Sequence, residues 1–179
     1  MKKCGHCGRS IAGKRAGAKW CSTSCRVMAA RARKRFPVEM TSTDRWVSWK
    51  PVLRGERWTK VPVTVDGRPA STRGASTWTS FDNVKTLTRK GWVLGAGIGC
   101  LDLDKCLVDG VLADWARKVV EEHMDEALLI EVSPSGTGVH VFLPMGTGKG
   151  NVIRDGRNIE VYPPDSGRYI CVTGNRLQI

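Results

Sequence analysis

The sequence predicts an α+β fold: a mixed domain of short strands and a few helices, preceded by a small zinc-binding module. Three observations point there. Four of the cysteines fall in two close pairs near the start of the chain. From residue 45 onward, short apolar or alternating runs bounded by Gly, Pro and Asp recur at strand-like lengths. Between them, Leu112, Trp115, Ala116 and Val119 recur at helical spacing, with His123 continuing that face. A chain of 179 residues can bury one real core and carry a small appendage.

Composition narrows the class. The chain is 41% hydrophobic and 26% charged, as in water-soluble globular proteins. No apolar run approaches the length of a membrane span and the start has no secretory pattern, so a cytosolic protein with no membrane partner is expected. The formal net charge of +12 is unevenly placed. Residues 1–35 hold eleven Lys and Arg and no Asp or Glu, whereas the rest has eighteen basic residues against seventeen acidic. A polyanion is the natural partner of such a segment. A solubilising tail is the plainer meaning of a charge run, but this run also carries the paired cysteines.

Cys4-Gly-His-Cys7 and Cys21-Ser-Thr-Ser-Cys25 flank a short basic loop, a spacing that suits a tetrahedral zinc site made by two turns. Two disulfides are the alternative, disfavoured in a cytosolic chain. His6 lies between ligands and reads as a bystander, with a Cys-to-His exchange of ligand as the other option. The Ala-rich run from Arg26 to Arg35 has no breaker before Pro37. It predicts a helix capped by Ser22 or Ser24, whose basic face could lie along phosphates. The module is therefore residues 1–36, and residues 37–44 read as a linker to a domain over 45–179.

Within that domain, Arg45 to Lys50 alternates like a strand, and a turn at Arg54-Gly-Glu56 returns the chain through Arg57 to Val65. Ser80 opens a short helix with Phe81, Val84 and Leu87 on one side and Gly91 as its stop. Strands are predicted at Trp92–Leu94 and Ile98–Leu103, then a helix from Leu112 to about Met124. Further strands follow at Leu128–Ser133, Val139–Leu143, Asn158–Tyr162 and Arg168–Thr173. Gly146-Thr-Gly-Lys-Gly150 reads as a mobile basic loop without phosphate-loop spacing.

Chemistry enters where polar residues interrupt apolar strands. In Ile98-Gly-Cys-Leu-Asp-Leu-Asp104, side chains two apart share a face, so Asp102 and Asp104 project together while Leu101 and Leu103 enter the core. Paired carboxylates repel, and hard cations such as magnesium or manganese relieve them. A polar strand end facing water is the simple alternative for a lone Asp-x-Asp. His140 and Glu160 interrupt two other strands in the same way. The loop Ser133-Pro-Ser-Gly-Thr-Gly138 offers small residues, hydroxyls and backbone N–H groups to a phosphate, or else is a tight strand connection. Acids and a histidine beside such a loop suit metal-assisted phosphoryl transfer.

From Arg45 onward the chain resembles the primase-polymerase (prim-pol) domain of the archaeo-eukaryotic primase superfamily, in its phage and plasmid branch. The resemblance rests on Arg45-Trp-Val-Ser-Trp-Lys50, Lys60-Val-Pro62, Ala70-Ser71, Thr77-Trp78, Gly97–Asp104, Ser133–His140, Ile159-Glu-Val-Tyr162, Gly167-Arg-Tyr169 and Val172-Thr-Gly174, in the family's order. It implies an α/β unit joined to an RRM-like sheet with the site between them. It further implies Asp102, Asp104 and Glu160 as Mg2+ or Mn2+ ligands. Ser133, Ser135, Gly136 and His140 would hold the incoming nucleotide's phosphates, and Lys60 and Arg168 would contact nucleotide or template. Many relatives have Asp where Glu160 stands, and many continue into a helicase domain. A separate replicative helicase is therefore an expected partner, alongside a single-stranded DNA template and dNTP or NTP, in the cytoplasm of a host cell if phage-encoded. Template-dependent DNA priming or polymerisation is the expected activity. The alternatives are a non-catalytic, zinc-dependent single-strand-binding protein and a metal-dependent nuclease.

Overall fold

The structure is a computed structural model that describes residues 2–178, the side chains of residues 29–34 excepted. The arginine-rich face expected at Arg31, Arg33 and Lys34 thus lies outside the described residues. The helix α1 (Thr23–Arg35) begins where Ser22 accepts the Cys25 N–H on its hydroxyl at 3.1 Å, the cap its position predicts. A single-turn helix α2 (Val38–Thr41) follows Pro37, whose fixed φ suits a helix start. The segment read as a linker, residues 37–44, sends Met40 into the core, next to Phe36 at its edge. Phe36 and Met40 are buried, and Phe36 meets both Trp46 and Phe81 edge-on at 5.4 Å.

The strands follow as β1 (Trp46–Arg54), β2 (Arg57–Val63), β3 (Lys90–Val93), β4 (Ile98–Leu103), β5 (Leu107–Val108) and β6 (Val111–Leu112). After them come β7 (Leu129–Val132), β8 (Val139–Pro144), β9 (Asn151–Ile153), β10 (Ile159–Tyr162) and β11 (Tyr169–Val172). Two further helices are α3 (Phe81–Val84) and α4 (Asp114–His123). One sheet has the order β11-β3-β1-β2, the other β7-β8-β4-β10-β9, and every pairing is antiparallel. β4, α4 and β7 form a split β-α-β unit, with β8 inserted between the two strands.

Period-2 alternation divides the five-stranded sheet into two faces. Leu101, Leu103, Val139, Val141 and Ile159 pack with Ala116 and Val120 of α4. The opposite face puts Ile98, Cys100, Leu129 and Phe142 against Trp46, Trp92, Ile170 and Val172 of the four-stranded sheet. The core is thus two layers of apolar packing on either side of β4, with the second lying between the sheets.

Four expectations for elements change. The helix from Ser80 stops after one turn, and Gly91 lies inside β3 rather than ending a helix. A Cβ on Gly91 would stand 2.7 Å from the Tyr169 ring, so the residue is small because a side chain crosses it. The chain also makes a β5–β6 hairpin, and β9 follows the Gly146–Gly150 loop. Among the described residues, no helix is long and apolar enough to cross a membrane.

Candidate functional site

On the face between the sheets, the five-stranded sheet is apolar at one end and polar at the other. Leu129, Phe142, Cys100 and Tyr162 stand opposite one another across β7, β8, β4 and β10. Two residues along each strand, the next row reads Glu131, His140, Asp102 and Glu160. Antiparallel register therefore gathers residues from positions 102 to 160 into one line. Three were expected to act together, and the row brings Asp102, His140 and Glu160 onto neighbouring strands.

Glu131 was not anticipated. It is fully buried, and its carboxylate is satisfied from outside the sheet. The Thr173 N–H donates to both oxygens at 3.1 Å, the Gly174 N–H donates at 2.6 Å, and His140 Nδ1 lies 3.2 Å from Oε1. An ionised Glu131 only accepts, so the shared proton sits on His140 Nδ1 and Nε2 turns toward the cleft. There Nε2 stands 3.7 Å from Asp102 Oδ1, within ion-pair reach but too far for a hydrogen bond. Asp102 Oδ1 is buried with no hydrogen-bond partner. Burial is the main cause that raises the Asp102 carboxyl above its ordinary range. His140 opposes this, Asp104 and Glu160 add to it, and Lys60 opposes it.

The remaining acids are placed differently. Asp104 lies just past the end of β4, exposed, with its N–H donating to the Asn158 carbonyl at 2.9 Å. Glu160 accepts from Arg154 and from the Tyr162 hydroxyl, and Arg168 lies over the Tyr162 ring at 5.3 Å. Burial, then Glu160, raises the Tyr162 hydroxyl. Asp102, Asp104 and Glu160 do not converge as a ligand set: among the described residues, only the four N-terminal cysteines bring three or more such donors within 4.8 Å of one another.

The facing sheet supplies the other wall. Lys60, Tyr169, Ile170 and Cys171 line a pocket of about 200 Å³ with Asp102 and His140. The Tyr169 hydroxyl donates to the Lys60 carbonyl at 2.8 Å, spanning the sheet over Gly91. Lys60 Nζ lies 5.8 Å from the centre of the Trp49 ring. The Ser/Gly loop closes the β7–β8 hairpin beside the end of β4. Its Ser133 and Ser135 hydroxyls are 2.9 Å apart, Ser135 and Thr137 are 3.0 Å apart, and Gly136 takes a positive φ of 78°. A Cβ on Gly138 would lie 2.8 Å from the Leu103 carbonyl, so the loop is pressed against the strand that bears Asp102.

The cysteine module is separate. The Gly8 N–H closes the first turn onto the Cys4 carbonyl at 3.0 Å, with Gly8 at φ 71°. The thiols of Cys4, Cys7, Cys21 and Cys25 lie within 4.8 Å of one another and could hold a structural metal such as zinc. N–H groups surround the Cys4 sulfur, chiefly that of Cys7, and draw its thiol down to about 6, so one ligand is already biased toward thiolate. Cys100, Cys106 and Cys171 are buried away from this cluster.

Of the site residues, Glu131 and Tyr169 were legible only in part. Glu131 interrupts an apolar strand just as His140 and Glu160 do, and that signal could have marked it. Compared with models of known protein families and with characterised proteins, the chain finds no match.

Proposed function

We propose that the chain is a prim-pol nucleotidyltransferase that makes or extends DNA strands on a single-stranded template, as in phage or plasmid replication. One observation carries the reading. The polar row Glu131–His140–Asp102–Glu160 crosses four adjacent strands at the mouth of an inter-sheet cleft, next to a Ser/Gly loop. The split β-α-β unit supports the RRM-like half of such a fold.

The buried, unpartnered Asp102 oxygen fits a hard cation, whereas Asp104 is exposed and Glu160 is engaged by Arg154 and Tyr162. Asp102, joined by Asp104 and Glu160 once Arg154 releases Glu160 and the three draw together, would hold Mg2+ or Mn2+, which would supply charge stabilisation for an in-line displacement at phosphorus. The chain's own groups supply the rest. His140 presents Nε2 to the triphosphate while Glu131 fixes its ring. Ser133 and Ser135 offer hydroxyls to phosphate oxygens, Gly136 (its N–H held by the Ser133 carbonyl at 3.0 Å) turns the loop without a side chain in the way, and Lys60 adds a cation from the opposite wall. Arg168, stacked on Tyr162, lies at the edge of the same face for nucleotide or template.

The Arg154–Glu160 contact favours a second reading, in which the fold grips nucleic acid through its basic zinc module and does no chemistry. Incubation with a single-stranded template, Mg2+ or Mn2+ and labelled nucleotides separates the two. Extended or newly made strands support transfer, and retention of the template without incorporation supports binding alone. Cleavage of the template would instead indicate a nuclease.

A further inference from the structure

We propose that the groove between the zinc module and the main domain is a binding track for the phosphate backbone of a single nucleic-acid strand. Its volume is about 830 Å³, and its walls include Arg35, Lys85, Lys90, Thr86, Thr88 and Thr173. Cys7, one of the four clustered thiols, lines its far side. No acidic residue lines it. The inference rests on the nucleic-acid partner of the reading above but not on its chemistry.

The cations in this groove are held against their own cost. Lys85 is 7% exposed, with Nζ 3.1 Å from Asp82 and 5.1 Å from the centre of the Trp20 ring, which ties the domain to the zinc module. Lys90 is 9% exposed and donates to the Leu87 carbonyl. Burial lowers the Lys90 ammonium and Arg35 lowers it further, against an opposing pull from the buried Glu131. Lys85 has Asp82 as its partner, but Arg35 and Lys90 repel each other with no acidic residue in the groove wall, and an entering anion relieves that repulsion. The exposed hydroxyls of Thr86 and Thr88 are suitable donors to phosphate oxygens, whereas that of Thr173 already donates to the Val132 carbonyl at 2.8 Å. Because the groove adjoins a basic module free of acids, a polyanionic strand suits it better than a single anion. The groove also reaches the cleft from behind: Thr173 lines it, and the Thr173 N–H holds Glu131, which in turn holds His140.

The test measures binding of a labelled single-stranded oligonucleotide to the full chain, without nucleotide or divalent cation, across a salt series. Thr86 and Thr88 are exposed, so Thr86→Glu with Thr88→Glu places two carboxylates in the groove without disturbing the core. Val108→Glu with Val111→Glu makes the same charge change on the exposed β5–β6 hairpin. The groove pair should weaken binding by about tenfold or more at low salt, and the hairpin pair much less. Arg35→Gln should lower the slope of log affinity against log salt by about 0.7, one single-strand phosphate contact. Equal binding by the two Glu pairs would overturn the proposal. So would polyglutamate of matched charge binding as tightly as the oligonucleotide. If groove variants lose binding while no form of the protein incorporates nucleotide, the groove stands and the transferase reading falls.

Discussion

At the scale of single residues, Asp102 is the unstable member of the row. Its buried, unpartnered oxygen and raised carboxyl mean that the folded chain holds a proton there more tightly than the unfolded chain does. The folded state then binds more protons in the window between the ordinary carboxylate range and the raised value. Stability attached to this group therefore falls as pH rises through that window. Without divalent cations, Asp102→Asn should melt higher than the wild type at neutral pH, and the difference should vanish in acid. Thermal melts at two pH values check this, and a lower melting point at neutral pH would show that Asp102 is well satisfied. His140→Ala should raise the Michaelis constant for nucleotide more than it weakens template binding, because Nε2 faces the cleft and not the groove. Asp102, His140 and Glu160 were legible in the sequence as polar breaks in apolar strands. Glu131 makes the same kind of break, but what completes it is a pair of backbone N–H groups more than forty residues later, which no local pattern announces.

At the scale of elements, strands with a strong period or a clear boundary were read best. β4 runs over Ile98–Leu103 as its apolar pattern predicts, and α4 lies within the predicted helix. Two-residue strands are too short to carry a period, yet the β5–β6 hairpin had a signal in Asp109-Gly110. Both residues take positive φ, 50° and 79°, as a two-residue hairpin turn requires. Gly91 misled because a helix stop and a strand glycine crossed by an aromatic ring look alike in one dimension. Gly91→Ala should push the Tyr169 ring off the sheet, destabilise by about 1–3 kcal/mol in denaturant melts, and disturb the Lys60 wall of the cleft. The segment after α1 misled in the same way: its Pro37 reads as punctuation, while its neighbours Phe36 and Met40 are core. Met40→Ala should cost about 2–5 kcal/mol, a loss that a solvated linker residue would not show.

At the scale of the whole molecule, the proposed function assigns different work to the basic module and the cleft. Residues 1–35 carry almost the entire excess of positive charge, whereas the polar row begins beyond position 100. The purified chain should carry about one zinc, measured by metal analysis, through Cys4, Cys7, Cys21 and Cys25. A metal-free, folded protein would remove the module's organising centre. The row, in turn, should be dispensable for holding a template. The most direct measurement takes one preparation of the Asp102→Ala, Asp104→Ala variant and follows both label incorporation on a primed template with Mn2+ and affinity for the bare single strand. Incorporation should vanish while affinity stays within about twofold of the wild type, since no cation of the basic module or groove is touched. Incorporation that persists at the wild-type rate, or that was never present in the wild type, would contradict nucleotide transfer at this cleft.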